Sequence, residues 1–198
     1  MISFAPFRRV LCLPGMQYIA TRFCGPTLRR WSFDEKFRTG QWNFSGEPSR
    51  ELANAVEHYL ERGDILMLGC GTAAITHTLK PDCFNSFLGV DLSKEAIARA
   101  NLGASAKIHF ELGDMLRFKT DQKFNVILFS ESLYYLKPWQ RQPMLRRSSD
   151  MLKPTGRIIV TISQPSRFAG VLEMIRRSFS IIEDRTFSES QRHLLVLR

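Results

Sequence analysis

The chain is predicted to fold as an α/β sandwich: a seven-stranded, mostly parallel sheet with helices on both faces and an antiparallel C-terminal strand. Three observations predict it. From Asp64 onward, short apolar runs alternate with amphipathic ones, the pattern of strand–helix–strand units. The runs "NVILFS" and "RIIVTI" are continuously apolar, as expected of strands with helices on both sides. The last two runs, "SIIEDRTF" and "RHLLVLR", follow one another across a short polar stretch with no helical pattern between them, which implies a hairpin.

The elements follow in order. The first 33 residues hold five arginines (Arg8, Arg9, Arg22, Arg29 and Arg30) and no acid. Three readings of this stretch compete: an organellar leader, a segment resting on anionic lipid, or a basic lid that helps to hold an anionic ligand or RNA. Within it, Met16, Ile19, Ala20 and Phe23 share one helical face between Pro14 and Gly25, so a short amphipathic helix is expected. A secretory signal is not, because the apolar stretch "VLCLPG" is short and interrupted by Pro-Gly. Next, "SFDEKFRTG" sets Ser32 three residues before Glu35 and stops at Gly40, predicting a short helix with a capping box. Past the aromatic link "QWNF", the run to Gly63 has Pro48 at a first turn and Leu52, Val56, Tyr59 and Leu60 on one face, predicting a second helix.

The remaining pattern predicts strands at 65–69, 86–91, 107–112, 124–130, 156–163, 180–187 and 192–197. Helices are predicted at 73–80, 93–101, 139–152 and 166–178. No internal repeat or low-complexity linker interrupts them. The expected division is an N-terminal basic segment with lid or cap helices over 1–62 and a cofactor-binding domain over 63–198.

Composition bounds the function. At 198 residues the chain suits one compact domain. Its 44% hydrophobic and 24% charged content is ordinary for a globular protein, and no apolar run approaches the ~20 residues that span a bilayer. Cys12, Cys24, Cys70 and Cys83 form no CxxC pair and have no histidine at metal-ligand spacing. No metal site is expected, and a reduced, cytoplasmic setting is the simpler reading. Contact with a membrane surface through the basic N-terminal segment, or organellar import, stays open. No obligate protein partner is evident. The net charge of +9 keeps an RNA substrate in view, although no RNA-binding module or basic-aromatic strand face is recognisable.

The chemistry centres on "DILMLGCGTAAIT", residues 64–76. A strand ending in Gly69, Cys70 and Gly71 and opening a helix lets backbone approach a ligand closely and aims helix N–H groups at it. Alone, the loop fits a dinucleotide site, a methyl-donor site or a plain turn. Asp91, at the end of the next strand and twenty residues after Gly71, is placed to accept both hydroxyls of a ribose. Ser93 already supplies a cap for "KEAIARA", which weakens a capping role for Asp91. A short-chain dehydrogenase needs a Tyr followed four residues later by Lys, and none of Tyr18, Tyr59, Tyr134 or Tyr135 has one.

Further along, "ELGDML", "FNVILFSESLYYL" and "LKPTGRIIVTIS" resemble the remaining motifs of class I S-adenosylmethionine-dependent methyltransferases. The resemblance covers about residues 64–198, with the motifs in family order. It implies a Rossmann-like sheet whose seventh strand lies antiparallel beside the sixth, and S-adenosyl-L-methionine as cofactor. It also implies a cofactor-binding set of Gly69, Cys70, Gly71, Asp91, Leu92, Gly113, Asp114, Met115 and Ser130, with Asp114 reaching the adenine amine; Trp42, upstream of the resemblance, joins this set from its place in the aromatic link. The family often has glycine where this chain has Ala73. "ESLYYL" is similar to the corresponding segment of NodS-type small-molecule N-methyltransferases.

In-line transfer from a sulfonium needs chiefly a nucleophile held at near-attack distance in a dry pocket. For an amine, Glu131 just past the fourth strand is the expected proton acceptor, with Tyr134 and Tyr135 orienting the substrate. A surface or capping acid is the alternative for Glu131, and core packing the alternative for one of the tyrosines. His58, His77, His109 and His193 read as structural, His109 being the one most open to a base role. Trp42 and Phe44 are expected to form a lid over the cofactor, with core anchoring as the alternative. The expected function is methyl transfer to a small-molecule amine or hydroxyl, with a sugar or lipid-linked glycan as the finer reading. The alternatives are an RNA methyltransferase and a non-catalytic cofactor-binding module docked at a membrane. Residues around Gln164, Pro165, Ser166 and Arg167 are expected to help set specificity.

Overall fold

The computed structural model describes residues 26–42 and 50–198. The expected helix around Met16–Phe23, and Cys12, Cys24, Phe44 and Pro48, lie outside these residues. In chain order the elements are α1 (Pro26–Arg38), α2 (Arg50–Leu60), β1 (Asp64–Leu68), β2 (Ser86–Asp91), α3 (Lys94–Ala100), β3 (Ile108–Leu112), β4 (Phe124–Ser130), α4 (Pro138–Asp150), β5 (Leu152–Ile162), α5 (Ala169–Ser178), β6 (Ile181–Thr186) and β7 (His193–Leu197).

The seven strands pair in the order β3-β2-β1-β4-β5-β7-β6. The first five are parallel, with Leu66 opposite Leu88 on one side and Ile127 on the other. Strand β7 runs antiparallel between β5 and β6, setting Ile162 opposite His193 and Thr186 opposite the same residue. The order reverses between β1 and β4, and crevices outside the carboxyl ends at such a reversal are where open α/β sheets bind ligands.

Alternate residues of each strand enter opposite layers. Leu66 and Leu68 of β1, Ile127 and Phe129 of β4, and Ile158 and Val160 of β5 pack on Leu145 of α4 and Leu172 and Ile175 of α5. Ile65, Met67, Val126, Leu128 and Ile159 pack on Leu52, Val56 and Leu60 of α2 and Ile97 of α3. Both faces of the central strands are therefore buried, which is why their sequences show no polar alternation. Helix α2, assigned from the sequence to the N-terminal segment, contributes one layer of this core.

Three local expectations are corrected. Helix α1 begins at Pro26 instead of Ser32, and Ser32 is buried within it. A proline suits a first helical position because its missing N–H would have no partner there. The Glu35 carboxylate pairs forward with Arg38, at 2.9 Å from Nε and 2.5 Å from Nη2, so no capping box forms. The helix does stop before Gly40, which takes φ 73°.

No α-helix spans 73–80. A single 3-10 turn covers Ala74–His77, preceded by Ala73 in the left-handed region at φ 51°, ψ 38°. A residue with that backbone cannot continue a right-handed helix. At the far end Pro81 holds Lys80 extended, at ψ 129°. Beyond α2, the left-handed positions are Glu61 and Arg62, not Gly63. Gly63 serves a close approach, since a Cβ there would fall 2.0 Å from the Asn125 side chain.

Candidate active site

The carboxyl ends of β1, β2, β4 and β5 open into a cavity of about 520 Å³, roofed by α1. On the first side lies the loop after β1. Gly69 at φ 73° and Gly71 at φ 55° both occupy the region that favours glycine. A Cβ on Gly69 would sit 2.5 Å from Cβ of Ser132, whose Oγ donates to the Leu68 carbonyl at 2.6 Å. Cys70 is buried between them, and burial, reinforced by the Asp91 charge, pushes its thiol pKa up. A thiol held protonated has little nucleophilic or redox reactivity.

Asp91 closes this side. Its Oδ2 accepts the Gly71 N–H at 2.7 Å and its Oδ1 accepts the Ser93 N–H at 2.8 Å. A carboxylate has about four lone-pair sites, so both oxygens retain capacity toward the cavity that Asp91 and Leu92 line. Burial raises the Asp91 pKa from its ordinary value, with the Ser93 and Gly71 N–H groups opposing. Because no α-helix follows the loop, its anion-attracting helix end is absent here. On this side, main-chain N–H groups, Thr72 and Asp91 are the polar groups that line the cavity. Gly113, Asp114 and Met115 form the adjoining wall after β3. Asp114 Oδ1 accepts the Leu116 N–H at 2.9 Å.

The end of β4 supplies Ser130, Glu131, Ser132, Tyr134 and Tyr135. Glu131 has φ 56°, a strained conformation of the kind that clusters at functional sites. Its Oε2 accepts the Tyr134 hydroxyl at 3.1 Å and the Ser163 N–H at 2.7 Å. Its Oε1 is buried without a hydrogen-bond partner. Tyr134 stacks on Phe168 at 4.1 Å, and burial, with the neighbouring Tyr135 and Glu131, pushes its pKa up. The Tyr134 ring thus packs in the core, the alternative weighed for one of the tyrosines, while its hydroxyl donates to Glu131.

Helix α1 forms the roof. Phe33, Phe37 and Trp42 interlock, with Phe33–Trp42 centroids at 5.4 Å and Phe37–Trp42 at 5.1 Å. Tyr135 joins them, 5.5 Å from Trp42 and 5.6 Å from Phe33. The Lys36 ammonium lies over Trp42 at 4.6 Å, and burial lowers its pKa from 10.5 to about 8. Asp34 anchors the roof, its Oδ1 accepting the Ser93 hydroxyl at 2.6 Å and the Glu95 N–H at 3.2 Å.

Every residue expected in the cofactor and catalytic sets lines the cavity; of the four residues expected to set specificity, Gln164 lines it and Pro165, Ser166 and Arg167 do not. Reading the sequence missed Phe33, Phe37 and Gln41, and named Arg29 only among the arginines of the basic-lid reading; all four also line the cavity. Their regular four-residue spacing was the available signal, obscured by the misplaced helix start. Ser190 and Arg192, in the turn between β6 and β7, line it too and carried no sequence signal. No histidine lies on the described wall. His109 is exposed on β3, with Nε2 3.2 Å from the Ala106 carbonyl, away from any base role there.

The family described as a methyltransferase domain matches residues 65–156. Over 137 residues the chain is 29% identical to carboxy-S-adenosyl-L-methionine synthase of Wolinella succinogenes, covering 65% of this chain and 56% of that protein. Nodulation protein S of Bradyrhizobium diazoefficiens is 27% identical, with coverage of 66% and 64%. Nodulation protein S of Sinorhizobium fredii is 31% identical, with coverage of 57% and 59%. The chain thus spans 56% to 64% of the length of these relatives. Among solved structures, N-methyltransferase NodS of Bradyrhizobium japonicum WM9 with S-adenosyl-L-homocysteine superposes at TM-score 0.66 and 20% identity, covering 85% of this chain and 97% of that one. The CcbJ methyltransferase of Streptomyces caelestis gives 0.67 at 15%, covering 84% and 95%. Both share the fold.

Proposed function

We propose, from the premise that this chain carries a class I S-adenosylmethionine-dependent methyltransferase domain, that it transfers methyl groups to a small-molecule acceptor through an amine nitrogen. The observation that carries the reading is Glu131: a strained carboxylate at the end of β4 with Oε1 buried and unpartnered, in the same cavity as the glycine loop and Asp91. The names of relatives support it, since nodulation protein S and the N-methyltransferase NodS stand among them. A sugar or lipid-linked glycan acceptor is the finer form of the proposal.

The residues fit the cofactor. A cavity of about 520 Å³ is within the usual range for small-ligand sites. A Cβ on Gly69 would collide with Ser132 Cβ at 2.5 Å and Met115 Cε at 2.9 Å, so only a glycine lets the loop close on these cavity walls, and Asp91 keeps lone pairs toward the cavity. Gly69 and Gly71 would admit the amino-acid portion, Asp91 the ribose, and Asp114 and Met115 the adenine. When bound, S-adenosylmethionine supplies an electrophilic sulfonium methyl.

The rest falls to the chain. Glu131 Oε1 accepts a hydrogen bond from the acceptor N–H and takes up the proton that the nucleophile must lose. Tyr134 and the Ser163 N–H hold Oε2, so the carboxylate is aimed before substrate arrives. Phe33, Phe37, Trp42 and Tyr135 exclude water above it, which strengthens these polar contacts.

Radiolabelled methyl transfer into a metabolite extract tests the reading, with binding of S-adenosylhomocysteine measured in parallel. Wild type should label a small-molecule fraction. Glu131→Gln should bind the homocysteine product within about two-fold of wild type while transfer falls on the order of 100-fold. Asp91→Ala should lose binding. Binding by wild type with no label in any fraction would make the chain a non-catalytic module.

A further inference from the structure

Among the described residues, five buried side-chain polar atoms have no partner: Arg29 Nε, Glu131 Oε1, Arg147 Nε, Arg157 Nε and Ser190 Oγ. Arg147 donates from both Nη atoms, and Arg157 from Nη1, to main-chain carbonyls, and neither lines the cavity. The remaining three belong to residues that line the active-site cavity. Glu131 is accounted for by the amine. Arg29 and Ser190 are donors, and none of the roles derived above uses them.

Sheet order locates them. Asp91 ends β2 and Asp114 follows β3, at one end of the cleft. The register Ile162–His193 brings the turn before β7, with Ser190 and Arg192, beyond the end of β5. Glu131 follows β4, two strands short of β7. At about 4.8 Å per strand, β7 lies roughly 10 Å from β4 and roughly 19 Å from β2. The Ser190 end is therefore on the far side of Glu131 from the adenosine wall.

Helix α1 runs the same way. Phe37 lies over the glycine loop, its Cζ 3.4 Å from where a Cβ of Gly71 would be. One turn earlier, Phe33 packs edge-on against Tyr135, past β4. Arg29 is one turn earlier again, so the line from β1 across β4 continues toward β5 and β7. The turn carrying Ser190 is held in place by Glu51 of α2, which accepts the Ser188 N–H at 3.0 Å, the Ser188 hydroxyl at 2.9 Å and the Glu189 N–H at 3.3 Å.

We infer that the acceptor is an anionic small molecule, its carboxylate or phosphate held by Arg29, Arg192 and the Ser190 hydroxyl while its nucleophilic nitrogen meets Glu131. This rests on the methyl-transfer reading above. A guanidinium whose Nε is already desolvated gains most from an oxyanion, which accepts its fork in two parallel bonds. The aromatic walls between Glu131 and Arg29 suit a short apolar spacer.

The test titrates protein saturated with S-adenosylhomocysteine with inorganic phosphate and, separately, with acetate, by calorimetry. Saturable binding is expected for at least one anion, and it should weaken at least ten-fold in Arg29→Gln and several-fold in Ser190→Ala, a milder change that guards against misfolding. Affinity for the homocysteine product should stay within two-fold of wild type in both variants. Which anion binds distinguishes a carboxylate acceptor from a phosphate one. Absence of saturable anion binding overturns the inference. A parallel loss of product affinity in Arg29→Gln also overturns it, because Arg29 would then serve the cofactor's own carboxylate. Failure of wild type to bind the homocysteine product at all overturns the methyl-transfer reading instead.

Discussion

The Asp34 carboxylate accepts the hydroxyl of Ser93 at 2.6 Å, joining the roof helix to the residue that also donates its main-chain N–H to Asp91. The roof and the buried acid of the cavity wall are thereby tied through one serine. Hydrogen bonds to a charged group contribute about 1.5–3 kcal/mol. Asp34→Ala should therefore weaken S-adenosylhomocysteine binding by about ten-fold or more, since each 1.4 kcal/mol is about a factor of ten. Calorimetric titration measures it, and an unchanged dissociation constant would show that the roof holds without this anchor.

Asp91 should impose a pH dependence. Burial raises its folded pKa above the ordinary 3.8. A carboxyl with a raised folded pKa costs no stability while protonated and costs most once ionised. The ligand-free protein should lose stability as pH rises from about 3.8 through the raised value. Asp91→Asn should remove that component in denaturant titrations across the acid range. Product binding should move oppositely, falling as acid protonates Asp91 and removes an acceptor.

Lys36 should show the base counterpart. With its pKa lowered to about 8 against 10.5 for the ordinary side chain, the buried ammonium is a cost at neutral pH, relieved as pH rises from about 8 to 10.5. The attraction of the ammonium to the Trp42 ring offsets part of it, about 0.5–2 kcal/mol. Lys36→Met should be more stable than wild type by about 1–2 kcal/mol at pH 7, with the gap closing toward pH 10. Equal stability across that range would contradict the cost.

The loop after β1 should separate two small substitutions. Gly69→Ala meets Ser132 Cβ at 2.5 Å and adopts φ 73°, so overpacking and left-handed strain should cost about 2–4 kcal/mol. Ala73→Gly relaxes a residue at φ 51°, worth about 1–2 kcal/mol. Greater unfolded-state freedom and a lost buried methyl return about the same amount. Its stability should lie within about 1 kcal/mol of wild type, as chemical denaturation can show. This makes Ala73, where the family often has glycine, a tolerated strain.

Much of the molecule could be read from local chemistry. Continuous apolar runs such as "NVILFS" mark strands buried on both faces, and glycines between β1 and the following turn mark a backbone that must approach a ligand. Asp91 ends a strand, and Gly113, Asp114, Glu131 and the tyrosine pair follow strands, so their places at strand ends pointed to their convergence, and all line one cavity.

What pattern could not supply was settled by contacts between distant segments. Residues 73–80 have apolar spacing suited to a helix, yet the left-handed turn at Ala73 and the proline at 81 leave one 3-10 turn. Glu35 has capping-box spacing from Ser32 but pairs forward with Arg38. Arg29 and Ser190 come to one cavity only because β7 inserts beside β5 and α1 lies across the sheet ends. Burial is a property of assembled layers, so the orphaned polarity of these two side chains, and with it the case for an anionic acceptor, exists only in the folded chain.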